Sequence, residues 1–148
     1  MIHEEICTYE VAKLAKKRGF DWGCLYHYDR KGSLHQNYAY DAKNSGVGVD
    51  DLLMYDGHLY TSECLAPTQS LLQRWLREEK GIHISVEYEW VEGVDDWTFW
   101  TYIKKIKNAK VVDDAIKSGF DSYELALEDA LKYALENLAR YVRHGYQT

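Results

Sequence analysis

The segment from Ala66 to Trp90 constrains the fold more than any other part of the chain. Pro67 is the single proline, and it stands where a helix should begin. Its fixed φ and missing N–H suit the first helical position. Leu71, Leu72, Trp75 and Leu76 then fall on one stripe of that helix, while Gln73, Arg74, Arg77 and Glu78 face elsewhere. Gly81 leads straight into a strand in which Ile82, Ile84, Val86, Tyr88 and Trp90 alternate with His83, Ser85, Glu87 and Glu89. Glu92-Gly93-Val94-Asp95-Asp96 has turn chemistry, and Trp97 to Ile106 returns as the second strand of a hairpin. That strand carries Trp97, Phe99 and Ile103 on one face and Trp100 and Tyr102 on the other. Two apolar faces mean a strand that is either sandwiched or exposed for a partner.

The flanking elements extend this pattern. Cys7 to Arg18 places Val11, Leu14 and Ala15 on one face of a short helix, with Lys16 and Lys17 in its last turn and Gly19 as the stop. Trp22 to Tyr28 is short and aromatic. Asp29-Arg30-Lys31-Gly32 reads as a turn, and Leu34 to Tyr40 as the strand returning from it. Asp41 to Asp51 is rich in Gly, Asn, Ser and Asp and reads as a loop, and Leu52 to Tyr60, broken at Asp56-Gly57, as a second small hairpin. The last helix is expected to start with Asp121 as N-cap, Glu124 completing a capping box and Phe120 with Leu125 as hydrophobic staple. Its stripe is Leu127, Leu131, Ala134, Leu135, Leu138 and Val142, with Arg140, Arg143 and His144 near its C-terminal dipole. The whole predicts one α+β domain over residues 1–148, with three main helices on an antiparallel sheet, in the order helix, short β region, helix, β-hairpin, helix.

At 148 residues the chain is long enough for a core without disulfide or metal staples. Thirteen Tyr and five Trp are an unusual surplus, and such side chains serve cores, interfaces and flat-ligand pockets alike. A net charge of -6 argues against duplex nucleic acid, which needs clustered cations for counterion release. Cys7, Cys24 and Cys64 form neither a disulfide framework nor a zinc pattern, so no cofactor and no metal are expected. Met1 to Glu10 lacks a basic-then-apolar leader, and no apolar run approaches a membrane span, so a cytoplasmic protein without a membrane partner is expected.

Several motifs together carry a resemblance. They are Lys17-Arg18-Gly19-Phe20-Asp21, Ala66-Pro67-Thr68-Gln69 with Arg74-Trp75-Leu76-Arg77-Glu78, Gly81-Ile82-His83-Ile84 and Ser122-Tyr123-Glu124-Leu125-Ala126-Leu127. In this order they resemble a small uncharacterised protein family of Bacteroidetes genomes, their prophages and their phages. The resemblance spans most of the chain except Arg30 to Tyr60. It implies a bacterial cytoplasm under phage influence, and brings no activity and no catalytic residues.

Candidate chemistry is sparse. Cys64 precedes the Pro67 helix, where a helix dipole can lower a thiol pKa, but no nucleophile signature surrounds it, and a semi-buried structural cysteine is the plainer reading. His27, His35, His58 and His83 lack metal-ligand spacing. His27 and Asp29 can share a strand face. Glu87 with Glu89 and the Asp95-Asp96 pair read as solvated face and turn. The best polar spot is the helix start at Thr68, Gln69 and Ser70, where open amides and Arg74 suit a small anionic or nucleotide-like ligand, with Tyr60 as the ring that would stack on it. Capping and solvation of the helix alone are the plainer account of Thr68 and Ser70. The reading carried forward is a non-catalytic binding protein, a homodimer by its aromatic surplus, that sequesters a nucleotide-like ligand or a host protein. The alternatives are a small hydrolase using Cys64 or a carboxylate pair, and a structural assembly protein.

Overall fold

The computed structural model describes residues 4–36, 52–55 and 58–138, with the backbone alone for 52–55 and 58–62. The expected Asp41–Asp51 loop, the Asp56-Gly57 turn, the strand end at Tyr40, and Arg140, Val142, Arg143 and His144 lie outside the described residues. The class is α+β, and the chain packs as two compact units, Met1–Leu71 and Leu72–Thr148.

In the first unit, helix α1 (Tyr9–Lys17) is capped by Thr8, whose Oγ1 accepts the Val11 amide at 3.3 Å. It buries Val11, Ala12 and Ala15, while Leu14 is only half-buried, so the stripe is turned slightly from the expected one. Strands β1 (Tyr26–Asp29), β2 (Leu34–Gln36), β3 (Leu52–Tyr55) and β4 (His58–Leu65) form an antiparallel sheet in the order β2-β1-β4-β3. Both small hairpins expected from the turn signals are present, with Tyr28 opposite Leu34 and Tyr55 opposite His58. The first is clamped by Asp29, whose Oδ1 accepts the Lys31 and Ser33 amides at 2.8 and 3.0 Å. Ala12, Tyr28, Cys64 and Ala66 form a small core, flanked by Ile6, Tyr9 and Tyr26, and the Tyr28 hydroxyl donates to the Cys7 carbonyl at 2.6 Å. The short β region therefore builds a sheet of its own.

Helix α2 (Gln69–Lys80) begins two residues after Pro67, which precedes the Thr68 cap and does not take the first helical position expected of it, and the helix buries Leu72, Trp75 and Leu76. In the second unit it is tied to the sheet by the Gln73 amide, which donates to the Ile84 carbonyl at 2.8 Å, and by the Lys105 ammonium, which donates to the Lys80 carbonyl. Strands β5 (Ile82–Val91), β6 (Asp96–Lys107) and β7 (Lys110–Phe120) form an antiparallel meander in sequence order. Strand β7 was not expected. It turns back through Asn108 and Ala109, both at positive φ (52 and 62), a tight two-residue loop between Lys107 and Lys110.

Helix α3 (Tyr123–Glu136) packs on all three strands and buries Ala126, Leu127, Ala130, Leu131, Ala134 and Leu135. Its N-cap is Ser122 rather than Asp121: the Ser122 Oγ accepts the Leu125 amide at 3.1 Å. The shift by one residue moves Glu124 out of the capping-box position and leaves Leu125 exposed, so there is no staple with Phe120.

Candidate functional site

The start of α2 is more occupied than its sequence implies. The Gln69 amide donates to the Glu5 carbonyl at 2.8 Å, and the Cys7 amide to the Pro67 carbonyl at 2.9 Å, because Ile6 bridges Thr68 as a short antiparallel pair. The Thr68 Oγ1 caps the Leu71 amide at 3.2 Å and lies 3.3 Å from the Ser70 hydroxyl. Gln69 is buried. Arg74 pairs with Glu78 one turn on, at 2.8 Å. Tyr60 lies on β4 opposite Leu53, and its side chain is outside the described residues. Two amides at this start, Gln69 and Leu71, thus already have acceptors within the chain.

Cys64 is fully buried in the core of the first unit. Burial, followed by the nearby Glu63 carboxylate, pushes its thiol up to about 11, and burial likewise pushes Cys24 up to about 12. Such thiols stay protonated at neutral pH, the opposite of an activated nucleophile. Native protein at pH 8 is therefore expected to resist alkylation at Cys64 and Cys24 and to react on unfolding. Because the folded pKa values are raised, the stability linked to these thiols is fully present below about 9 and is lost as pH rises through about 11 for Cys64 and about 12 for Cys24. Rapid selective alkylation of Cys64 in folded protein would contradict this.

His27 is buried on β1 and stacks on His35 with ring centroids 5.2 Å apart, and the His35 Nε2 lies 2.7 Å from the Asp29 Oδ2. The Asp29 carboxyl is lowered chiefly by this His35 hydrogen bond. His35 thus contacts both His27 and Asp29, the two residues expected to share a strand face. No group of three His, Cys, Asp or Glu among the described residues could hold a metal ion. Glu87 and Glu89 occur on the polar face of β5, where the Tyr102 hydroxyl donates to the Glu89 carboxylate at 2.9 Å and is raised in pKa mainly by that bond.

The remaining face of the hairpin is the unusual surface. Register places Ile82, Ile84, Val86, Tyr88 and Trp90 of β5 on one face with Trp97, Phe99, Thr101 and Ile103 of β6. At one end this face is core: Ile84 is 7 % exposed and Ile103 0 %. At the hairpin end it is open, with Tyr88 at 56 %, Trp90 at 47 % and Trp97 at 50 %. Element lengths explain the contrast. The 14 residues of α3 span about 21 Å, whereas the 12 residues of β6 span about 40 Å, so one helix cannot cover the sheet. Coverage runs out where α3 begins, at Tyr123, whose ring meets Phe99 edge-on at 6.5 Å.

Beyond that point the rings continue as a connected strip. Phe99 stacks on Tyr88 at 4.6 Å, Tyr88 meets Trp97 at 5.3 Å, and Trp97 meets Trp90 edge-on at 5.8 Å. Contacts of this kind hold ring orientations fixed before anything binds. The adjoining loop supplies Glu92, Asp95 and Asp96, all exposed, and Asp121 and Glu124 are exposed beside Tyr123. From Gly81 to Ile103 the chain contains no Lys or Arg. Sequence alternation identified these side chains as large and two-faced; where helical cover stops was not readable from it.

Comparisons with protein-family models, with curated proteins and with solved structures find no match for the chain.

Proposed function

We propose that the protein is a non-catalytic binding protein that captures a protein partner on the aromatic strip of the β5–β6 hairpin. The observation that carries this reading is the strip itself: Trp90, Trp97 and Tyr88 are about half exposed yet held in ring-to-ring contact. Isolated exposed apolar residues are ordinary, but a contiguous patch is characteristic of interaction surfaces. Trp and Tyr are also the side chains that dominate interface energetics, because a large rigid area is buried at little loss of side-chain entropy. The protonated, buried thiols of Cys64 and Cys24 favour this reading over a cysteine hydrolase. In the phage or prophage setting suggested by the sequence resemblance, the partner is a host protein.

The test is affinity capture with wild type and with the Trp90→Ser/Trp97→Ser double variant. Both side chains lie outside the core, so the double variant is expected to stay folded and lose no more than about 1–2 kcal/mol of stability. A partner retained by wild type should be lost by the double variant. A partner held equally by both would move the binding surface elsewhere.

A further inference from the structure

We infer that the strip takes a cationic protein segment, one that lays an arginine side chain over the Trp90 and Trp97 rings beside the carboxylates of the hairpin loop. This rests on the proposed binding role of the strip and names the chemistry of its occupant. Three observations point the same way. Tyr88, Trp90, Trp97 and Tyr123 are exposed, and none of these rings nor Phe99 has a cation over it among the described residues. Elsewhere the chain supplies its own cations to its rings: Lys13 lies 4.2 Å from the Tyr9 centroid, Lys80 5.3 Å from Trp75 and Lys117 4.5 Å from Tyr133. Finally, the turn that closes the strip is acidic and exposed: Val91 and Asp96 are the pair after Trp90 and Trp97, and Glu92 and Asp95 lie in the turn just beyond it.

Lys117, on β7 opposite Thr101, and Lys105, at the far end of β6, both have partners of their own. Lys117 reaches Asp129 at 3.3 Å as well as Tyr133, and Lys105 donates to the Lys80 carbonyl. The strip is thus a set of exposed aromatic rings edged by carboxylates, in a stretch from Gly81 to Ile103 that has no Lys or Arg. Arginine matches it better than lysine, because its planar guanidinium stacks on an indole while its N–H groups still reach a carboxylate. The same charge pattern disfavours other occupants. A nucleotide or an anionic membrane surface brings phosphate against the loop carboxylates, and a second copy brings the same acidic loop in a chain whose net charge is already -6.

The experiment uses the full chain and a short synthetic peptide of alternating arginine and leucine, paired with a peptide in which citrulline, the uncharged isostere, replaces every arginine. Binding is read by calorimetry and by tryptophan fluorescence at two salt concentrations. Wild type is expected to bind the arginine peptide at least ten-fold tighter than the citrulline peptide. The Glu92→Gln/Asp95→Asn/Asp96→Asn variant and the Trp90→Ser/Trp97→Ser variant are each expected to weaken it at least ten-fold, and salt to weaken wild type more than the charge variant. Asparagine suits position 95, where φ is 54, and keeps the oxygen that accepts the Trp97 amide at position 96, so the charge variant should fold.

Equal binding of both peptides, lost only in the ring variant, would overturn the cationic assignment and leave the strip as the binding surface. Arginine-peptide binding untouched by the ring variant would overturn both. No binding of either peptide at millimolar concentration would overturn the cationic assignment, leaving the strip to be judged by the partner-capture test. A wild-type dimer in sedimentation that the ring variant dissolves would make the occupant a second copy, and would equally overturn it.

Discussion

Trp75→Ala is expected to destabilise the protein by about 3–5 kcal/mol, the usual result of truncating a large aromatic residue in a core. Trp75 is 3 % exposed and shares the buried stripe of α2 with Leu72 and Leu76. Removing the indole also strips Lys80 of the ring over which its ammonium lies. A loss of this size should lower the melting temperature by roughly 10 °C or more. Chemical denaturation with fluorescence and far-UV circular dichroism provides the check. A variant as stable as wild type would show that this face of α2 contributes little to the core. The contrast with Trp90 and Trp97 sharpens the test, because the same chemical deletion on the strip should leave folding largely intact.

Gly81→Ala is expected to rank second, at about 2–4 kcal/mol. Gly81 adopts φ +67, and a Cβ there would lie 2.8 Å from the Ile106 carbonyl oxygen. A left-handed backbone costs a non-glycine residue about 1–2 kcal/mol by itself. The clash adds to it, because relieving it means moving the backbone that makes the 2.8 Å hydrogen bond from the Ile106 amide to the Gly81 carbonyl. This residue converts the axis of α2 into the direction of β5 in a single step, so the damage falls on the link between helix and sheet. Urea denaturation measures it. A loss under about 1 kcal/mol would mean that the chain can relax at this point without disturbing the pair.

The parts of this fold that were legible in the sequence are those with an unbroken hydrophobic period. Helix α2 and strands β5 and β6 have it, and each lies where the pattern puts it, within a residue or two. Strand β7 lacks it: Asp113-Asp114, Lys117 and Ser118-Gly119 interrupt the alternation, and pairing with β6 holds the strand across two register shifts. The cap of α3 slipped by one residue because Asp121 and Ser122 are both good capping residues. The choice was made by the backbone, with Ser122 extended at φ -143 and ψ 159. At the start of α2 the sequence displays its donors and cannot display the Glu5 carbonyl that one of them meets. The aromatic strip is a similar case. Its side chains are plain in the sequence, but their exposure depends on a mismatch of element lengths that emerges only once helix and hairpin are laid together.

The order of the strands has a kinetic side. In the second unit every strand pairs with its neighbour in the chain, so β5-β6-β7 can zip through two short turns, each contact closing only a small loop. In the first unit β1 pairs with β4, joining Asp29 to Ser62 across both of the intervening strands. Loop-closure entropy rises by about 0.6 kcal/mol for each doubling of length, and it must be met before the pairing contributes anything. The meander is therefore the natural early structure. During synthesis the arrangement runs against chain order, since the segment with the slower topology leaves the ribosome first and the quickly zipping one last.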